Sequence, residues 1–332
     1  MHVELVVPGL FQAQAAAPAL EMLLARGRRT PGQAAALEEW CARAFGLEGS
    51  PLPAGALTAL ACGLEPGTAY WMRADPVHLR ADRDRVLLYP SQGFALTAEE
   101  AEPLAAALDA HYAGEFFFAA LRPDVWCLRG GREIPASERP PIEIAGRSVD
   151  GELPDKRWHA LLNEIQMAMY QHPVNTAREA RGDPVVNGVW LWGAGRLPAA
   201  AALSNTGPWH SLSADDPLAL GLARLAGVRH RPPGAGAAPW LGRTPEDGRH
   251  LVILEALRGA QVLGDAKTVE GRLRGLEDRW FAPLLAALRA GRIGMLTVHV
   301  PDAGASFETE RNDLRRFWRR PKPLATYNAY AA

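Results

Sequence analysis

Cysteine is scarce in this sequence, and no long hydrophobic run occurs. Three cysteines, Cys41, Cys62 and Cys127, stand far apart in 332 residues. An odd, unspaced set fits neither a disulfide framework nor a structural zinc site, and it points to a reducing cytoplasm. No stretch approaches the roughly 20 apolar residues of a membrane helix. The start, MHVELVVPGLF, lacks the basic segment of a signal peptide. A cytoplasmic location and no membrane partner are therefore expected. Charge of one sign is also lacking: the formal net charge is −1, so no overall field draws the chain to nucleic acid or lipid. Nine histidines are present, but none makes HxH, HExxH or another ligand spacing on one element. No GxSxG elbow, phosphate-binding Walker loop or internal repeat is found.

What is present is a hydrophobic content of 48%, enough for a large core or two. The opening VELVVPGL is apolar throughout, as a strand buried on both faces is. Helical patterns follow over 13–26, ended by Gly27, over 34–45, and over 56–62. From 70 to 129 the texture changes. Strand patterns at 70–79 and 85–89 flank a charged turn. Thr97 and Glu100 form a capping-box signature for a helix to 111, and GEFFFAAL and DVWCLR read as two more strands. This ββαββ unit is self-contained. Later, Trp158, Leu161, Leu162, Ile165 and Met169 share a helical face, and Asp216-Pro217 opens a helix to 226. RHRPPGAGAAP reads as a flexible loop, 250–256 and 293–300 as buried strands, and 269–284 as a helix. Helices alternating with buried strands predict an α/β fold with a mostly parallel sheet.

Two stretches invite chemistry. VVNGVWLWGAGRLP (185–198) reads as a strand breaking off on glycines. GAGRLP begins like a dinucleotide loop, but Pro198 occupies the place of the third glycine, so the motif is weak. Trp190 and Trp192 fall on one strand face and are expected to pack under a helix. RNDLRRFWRRPKP carries six cations against one carboxylate, with Phe317 and Trp318 between them. Basic runs with aromatics can grip nucleic acid. The commoner state is a solvated helix face with the aromatics packed inward, so nucleic acid is not expected as a partner.

Several stretches together resemble the archaeal-type cofactor-independent phosphoglycerate mutases of the alkaline phosphatase superfamily. The strongest is HPVNTAREARGDPVVNGVWLWGAGRLP (172–198). PALEMLLARG, CGLEP, DAKTVEGRLRGLEDRW, VHVPDAGAS and RPKPL add weaker matches along most of the chain. The resemblance implies an alkaline-phosphatase-like core, residues 1–66 and 140–332, with a small inserted α+β domain at 67–139. It also implies two divalent metals, manganese or zinc, and a Ser or Thr nucleophile. Metals would neutralise phosphoryl charge and activate the attacking oxygen.

Carried over by position, that machinery is mostly missing. Pro8 stands where the family has a metal-binding Asp. Gly55 and Ala56 occupy the nucleophile region, with Thr58 a helical step away. LVILEALRGAQVLGD offers Glu255 and Arg258 but no His, and Ala303 follows Asp302 where a His belongs. Arg258 would put positive charge where a cation should sit. The chain is therefore read as a degenerate, bacterial regulatory-type member, non-catalytic, with no resident cofactor. Asn175, Arg178, Asn187 and Arg196 are the candidates for holding a small phosphorylated ligand, and a protein partner fits a regulatory role. The alternative is a metal-dependent mutase or related phosphotransferase with displaced ligands. It would need Thr58 or Asp302 in catalysis and Glu255, Asp265, His299 and Asp302 around a metal.

Overall fold

A computed structural model describes residues 1–47, 51–131, 136–149, 151–152, 156–203, 209–264 and 266–328. Its strands in chain order are β1 (His2–Val6), β2 (Arg28–Pro31), β3 (Tyr70–Asp82), β4 (Arg85–Pro90), β5 (Phe116–Arg122), β6 (Val125–Gly130), β7 (Gly188–Gly195), β8 (Trp209–Ser213), β9 (Arg229–Arg231), β10 (Arg249–Ile253), β11 (Met295–Val300) and β12 (Ala305–Glu310). Its helices are α1 (Pro18–Arg26), α2 (Leu37–Ala44), α3 (Ala54–Ala61), α4 (Ala98–His111), α5 (Lys156–Tyr170), α6 (Pro173–Arg181), α7 (Pro217–Leu225), α8 (Ala237–Leu241), α9 (Ala260–Leu263), α10 (Ala266–Leu276), α11 (Ala282–Arg289) and α12 (Ala325–Asn328). They form two compact units, residues 1–48 with 200–332, and residues 49–199. These bounds give the second unit more chain on both sides than the 67–139 expected from sequence.

The first unit is an α/β layer structure. Its sheet runs β2-β12-β11-β1-β10-β8-β9. β11, β1, β10, β8 and β9 are parallel, while β12 and β2 close one edge antiparallel. Strand periodicity divides β1 between the two faces. Val3, Leu5 and Val7 join Leu20 and Leu23 of α1, Leu273 of α10 and Leu284 and Leu288 of α11 in one buried cluster. The even positions turn towards the other face, and one of them is Glu4, a buried acid. α2 and α7 pack together. Asp216 caps α7, accepting the Ala219 N–H at 2.7 Å, and Pro217 follows at the first helical position, which satisfies one of the four free N–H groups of a helix start. The loop expected across RHRPPGAGAAP is instead β9 and α8. α8 forms because Trp240 finds a fully buried seat there and donates from Nε1 to Ser213 Oγ at 2.9 Å.

The second unit is built on an antiparallel sheet, β4-β3-β6-β5, with β7 also paired to β3. The expected ββαββ elements are all present. The capping box of α4 forms, with Thr97 N–H donating to Glu100 at 3.2 Å. β7, however, lies here and not in the parallel sheet. β3 is thirteen residues long, well beyond the usual five or six. It pairs with β6 at its start, β4 at its end and β7 along its middle. Trp190 of β7 packs against Trp158 of α5 at 5.3 Å between ring centroids. The glycines that end β7 let α3 approach: a Cβ at Gly193, whose φ is +58°, would lie 2.4 Å from Ala54 Cβ. No helix among the described residues is long and apolar enough to cross a membrane.

Candidate functional site at the carboxyl ends of the parallel strands

In open α/β sheets, ligands gather beyond the carboxyl ends of the parallel strands. In the first unit that place follows β10, where the chain continues through Glu255 into the turn carrying Arg258. α2 brings Glu38 to the same point. Arg258 Nη2 donates to both oxygens of Glu38, at 2.7 and 2.8 Å, and Arg258 Nη1 lies 3.9 Å from Glu255 Oε1. Burial works against the charge of Arg258, but Glu38, Glu255 and Asp216 outweigh it and hold the guanidinium firmly protonated. Burial, then repulsion from Asp216, pushes the Glu255 carboxyl up to about 8, with Arg258 opposing and Glu38 adding to the rise. Cys41, fully buried beside this group, has its thiol pushed up by burial and by the acids around it. It is therefore held as a thiol rather than a nucleophilic thiolate.

A guanidinium stays charged in proteins and offers donors alone. Arg258 thus supplies the positive charge that these acids would otherwise draw from a metal cation. Asp216 is committed to capping α7. Among the described residues the donor set does not fit a pair of divalent metals.

The other sequence candidates do not converge on this point. Asp302 accepts from Gly9 N–H at 2.9 Å and from Gln12 Nε2 at 3.3 Å, tying the turn after β11 to the turn after β1. His299 joins Glu4 at 2.9 Å through Nε2 and Ser306 Oγ at 2.8 Å through Nδ1. Thr58 belongs to the second unit, buried in α3, where Arg73 Nη1 donates to its hydroxyl at 3.4 Å. Asp265 lies outside the described residues. The segment around Gly55, where the resemblance would put a nucleophile, is sterically closed. A Cβ at Gly55 would lie 2.3 Å from the Met72 Cα, so no serine fits there unless β3 moves.

The four candidate ligand residues all serve the second unit's own backbone. Asn175 Oδ1 accepts from Val186 N–H, and its Nδ2 donates to the Met169 and Val186 carbonyls. Asn187 pairs in the same two-way fashion with Leu79, through 2.7 and 2.8 Å bonds. Arg178 donates to the Pro184 and Phe94 carbonyls and to Glu100. Arg196, exposed, donates to the Thr68 carbonyl.

Glu38 and Glu4 were missed from the sequence. The only signal for Glu4 was an acid inside VELVV. Glu4 receives two bonds from Arg249 at 2.8 and 2.6 Å besides that of His299. Burial raises its carboxyl, but the bond and charge of His299, the bonds of Arg249 and the charge of His2 outweigh this and bring it below its ordinary value. Beside this network lies a cavity of about 440 Å³, with Trp40 and Trp209 in its walls and Arg43 and Arg249 lining it.

With an α/β fold and a polar site at its strand ends, comparison with known proteins narrows the class. No family model matches the chain. The chain is 28% identical over 259 residues to a probable 2,3-bisphosphoglycerate-independent phosphoglycerate mutase of Geobacter sulfurreducens, covering 70% of this chain and 63% of that protein. The chain thus spans less than two thirds of the length of the curated relative it matches. The PH0037 protein of Pyrococcus horikoshii has a similar structure, with a TM-score of 0.53, 15% identity, and coverage of 93% of this chain and 87% of that one. A cofactor-independent phosphoglycerate mutase of Thermoplasma acidophilum aligns at a TM-score of 0.45 and 16% identity, over 98% of this chain and 94% of that one. In sequence the chain is phosphoglycerate-mutase-like, and its fold is mixed α/β with a mostly parallel sheet.

Proposed function

We propose that this chain is a non-catalytic, phosphoglycerate-mutase-like protein with a binding or regulatory role, on an alkaline-phosphatase-like core. One observation carries the reading: Arg258 binds both oxygens of Glu38 beside Glu255. In this reading the guanidinium takes the place of the catalytic cation. A metal-activated nucleophile lowers a phosphoryl-transfer barrier by charge neutralisation, and these side chains offer that charge already spent on each other. The role is cytoplasmic in this reading, with a small phosphorylated ligand or a protein partner as its object. Among residues of the first unit, Arg43 and Arg249 at the 440 Å³ cavity supply cations suited to such a ligand.

Metal analysis of the purified full chain, joined to an assay of 3-phosphoglycerate turnover with added Mn²⁺ or Zn²⁺, tests this. The expected result is no stoichiometric metal and no metal-dependent turnover. Two bound ions per chain with metal-dependent mutase activity would establish the other reading, a phosphotransferase with displaced ligands.

A further inference from the structure

The basic segment after β12 does not fold as its pattern suggests. Residues Arg311–Arg315 make one short 3-10 turn, and the chain then turns without regular structure. The aromatics do not pack inward. Phe317 is 78% and Trp318 67% exposed, their rings edge-to-face at 5.3 Å. The backbone that carries them is nevertheless pinned. Arg316 Nη1 donates to the Arg26 carbonyl at 3.1 Å, Arg319 Nη1 to the Gly27 carbonyl at 2.9 Å, and Arg26 Nη1 back to the Leu314 carbonyl. Two large rings are thus held in water by a fixed scaffold, where burying them would be the favoured outcome.

Beside them is a groove of about 730 Å³ between the end of α1, β2 and the segment. Arg28, Arg29, Arg319, Arg320 and Lys322 line it with Trp318, and no carboxylate does among the described residues. Arg28 is paired with Glu308 and Arg316 with Asp313. Arg320 and Lys322 have no ion-pair partner among the described residues. In a chain of net charge −1, this is a local concentration of positive charge next to exposed ring faces.

We propose that this groove binds single-stranded nucleic acid, with the cations on the phosphates and Trp318 and Phe317 stacked on bases. A strand offers both a repeating anion and free base faces. A duplex hides its base faces, and a flat bilayer does not enter a concave groove. The site is separate from the strand-end cluster and does not depend on the reading given above.

The test is fluorescence anisotropy of the full chain with labelled dT12 and U12, a labelled 12-base-pair duplex, and phosphatidylserine vesicles. Binding of one or both single strands is expected, tighter than the duplex. With about four phosphates neutralised, affinity should fall about 50-fold between 50 and 200 mM salt. Trp318→Ala should weaken binding about tenfold or more, as loss of a stacking platform does, and Arg320→Glu with Lys322→Glu should abolish it. All three positions are exposed, so unchanged melting temperatures are expected and separate lost binding from lost folding. Deleting the segment is not needed. No binding of either strand at 50 mM salt overturns the proposal. So does binding that the variants leave intact, or vesicle or duplex binding stronger than strand binding.

Discussion

Arg258 places one nitrogen, Nη2, within 2.7 and 2.8 Å of both oxygens of Glu38, an acid that is 5% exposed. The two lie 220 positions apart in sequence, in α2 and the turn after β10. Removing one member of such a pair leaves an uncompensated buried charge, which costs about 3–5 kcal/mol. Arg258→Ala is therefore expected to lower unfolding free energy by that order in urea denaturation. The double variant Glu38→Gln, Arg258→Met should recover much of the loss, because an apolar replacement of a whole buried pair is often neutral. An Arg258→Ala protein as stable as the wild type would show that the pair contributes nothing.

The Glu255 carboxyl titrates at about 8 in the folded chain against an ordinary 4.5. The folded state favours its protonated form, so its contribution is fully present below about pH 4.5 and is lost as pH climbs through 8. Glu255→Gln keeps the neutral shape and removes the titration. The variant should match the wild type at pH 4 and exceed it at pH 9. Because the side chain is 31% exposed, solvent screening holds the gain to about 1–2 kcal/mol. Melting curves across this range check the sign: a variant that is less stable at pH 9 than the wild type contradicts it.

Gly55 lies so close to β3 that a Cβ would meet Met72 backbone atoms at 2.3 to 2.5 Å. Backbone cannot swing aside as a flexible side chain can, so Gly55→Ala should cost at least the about 1–3 kcal/mol of overpacking. Gly55→Ser, which would place a hydroxyl in this region, is expected to be destabilised equally and to gain no phosphatase activity with Mn²⁺ or Zn²⁺. Stability and turnover measured on the same preparation decide both points.

Much of this was legible in the sequence, for local reasons. The capping box at Thr97, the Asp216-Pro217 start and the apolar runs of β1 and β11 depend on neighbouring residues, and each formed. Glu255 and Arg258 stood out together in one short stretch, and they lie 3.9 Å apart. What stayed hidden was non-local. Glu38 lies 220 positions from Arg258, and nothing around it in α2 announces its partner. β7 reads as a buried strand, but its apolar pattern does not say which sheet it enters. The pairing was set by the length of β3 and by the room its glycines leave for α3. The tail misled because its charge pattern suits a helix, whereas its arginines bond to carbonyls at the end of α1 and hold the chain in a turn.

Asn175 and Arg196 separate a structural role from a ligand role. Asn175 makes three bonds to buried backbone, to Met169 and to both sides of Val186. Asn175→Ala strands those groups, and each unsatisfied buried group costs about 1–3 kcal/mol. A loss of at least about 2 kcal/mol is expected. Arg196 is exposed and donates to the Thr68 carbonyl, so Arg196→Ala should shift stability by no more than about 0.5 kcal/mol. If the second unit holds a phosphorylated ligand through Arg196, 3-phosphoglycerate should raise the wild-type melting temperature and the variant should lose that rise with its own unfolding unchanged. The bonding seen at Asn175, Asn187 and Arg178 predicts the opposite: an identical response to 3-phosphoglycerate in wild type and Arg196→Ala, measured by thermal shift over a concentration series.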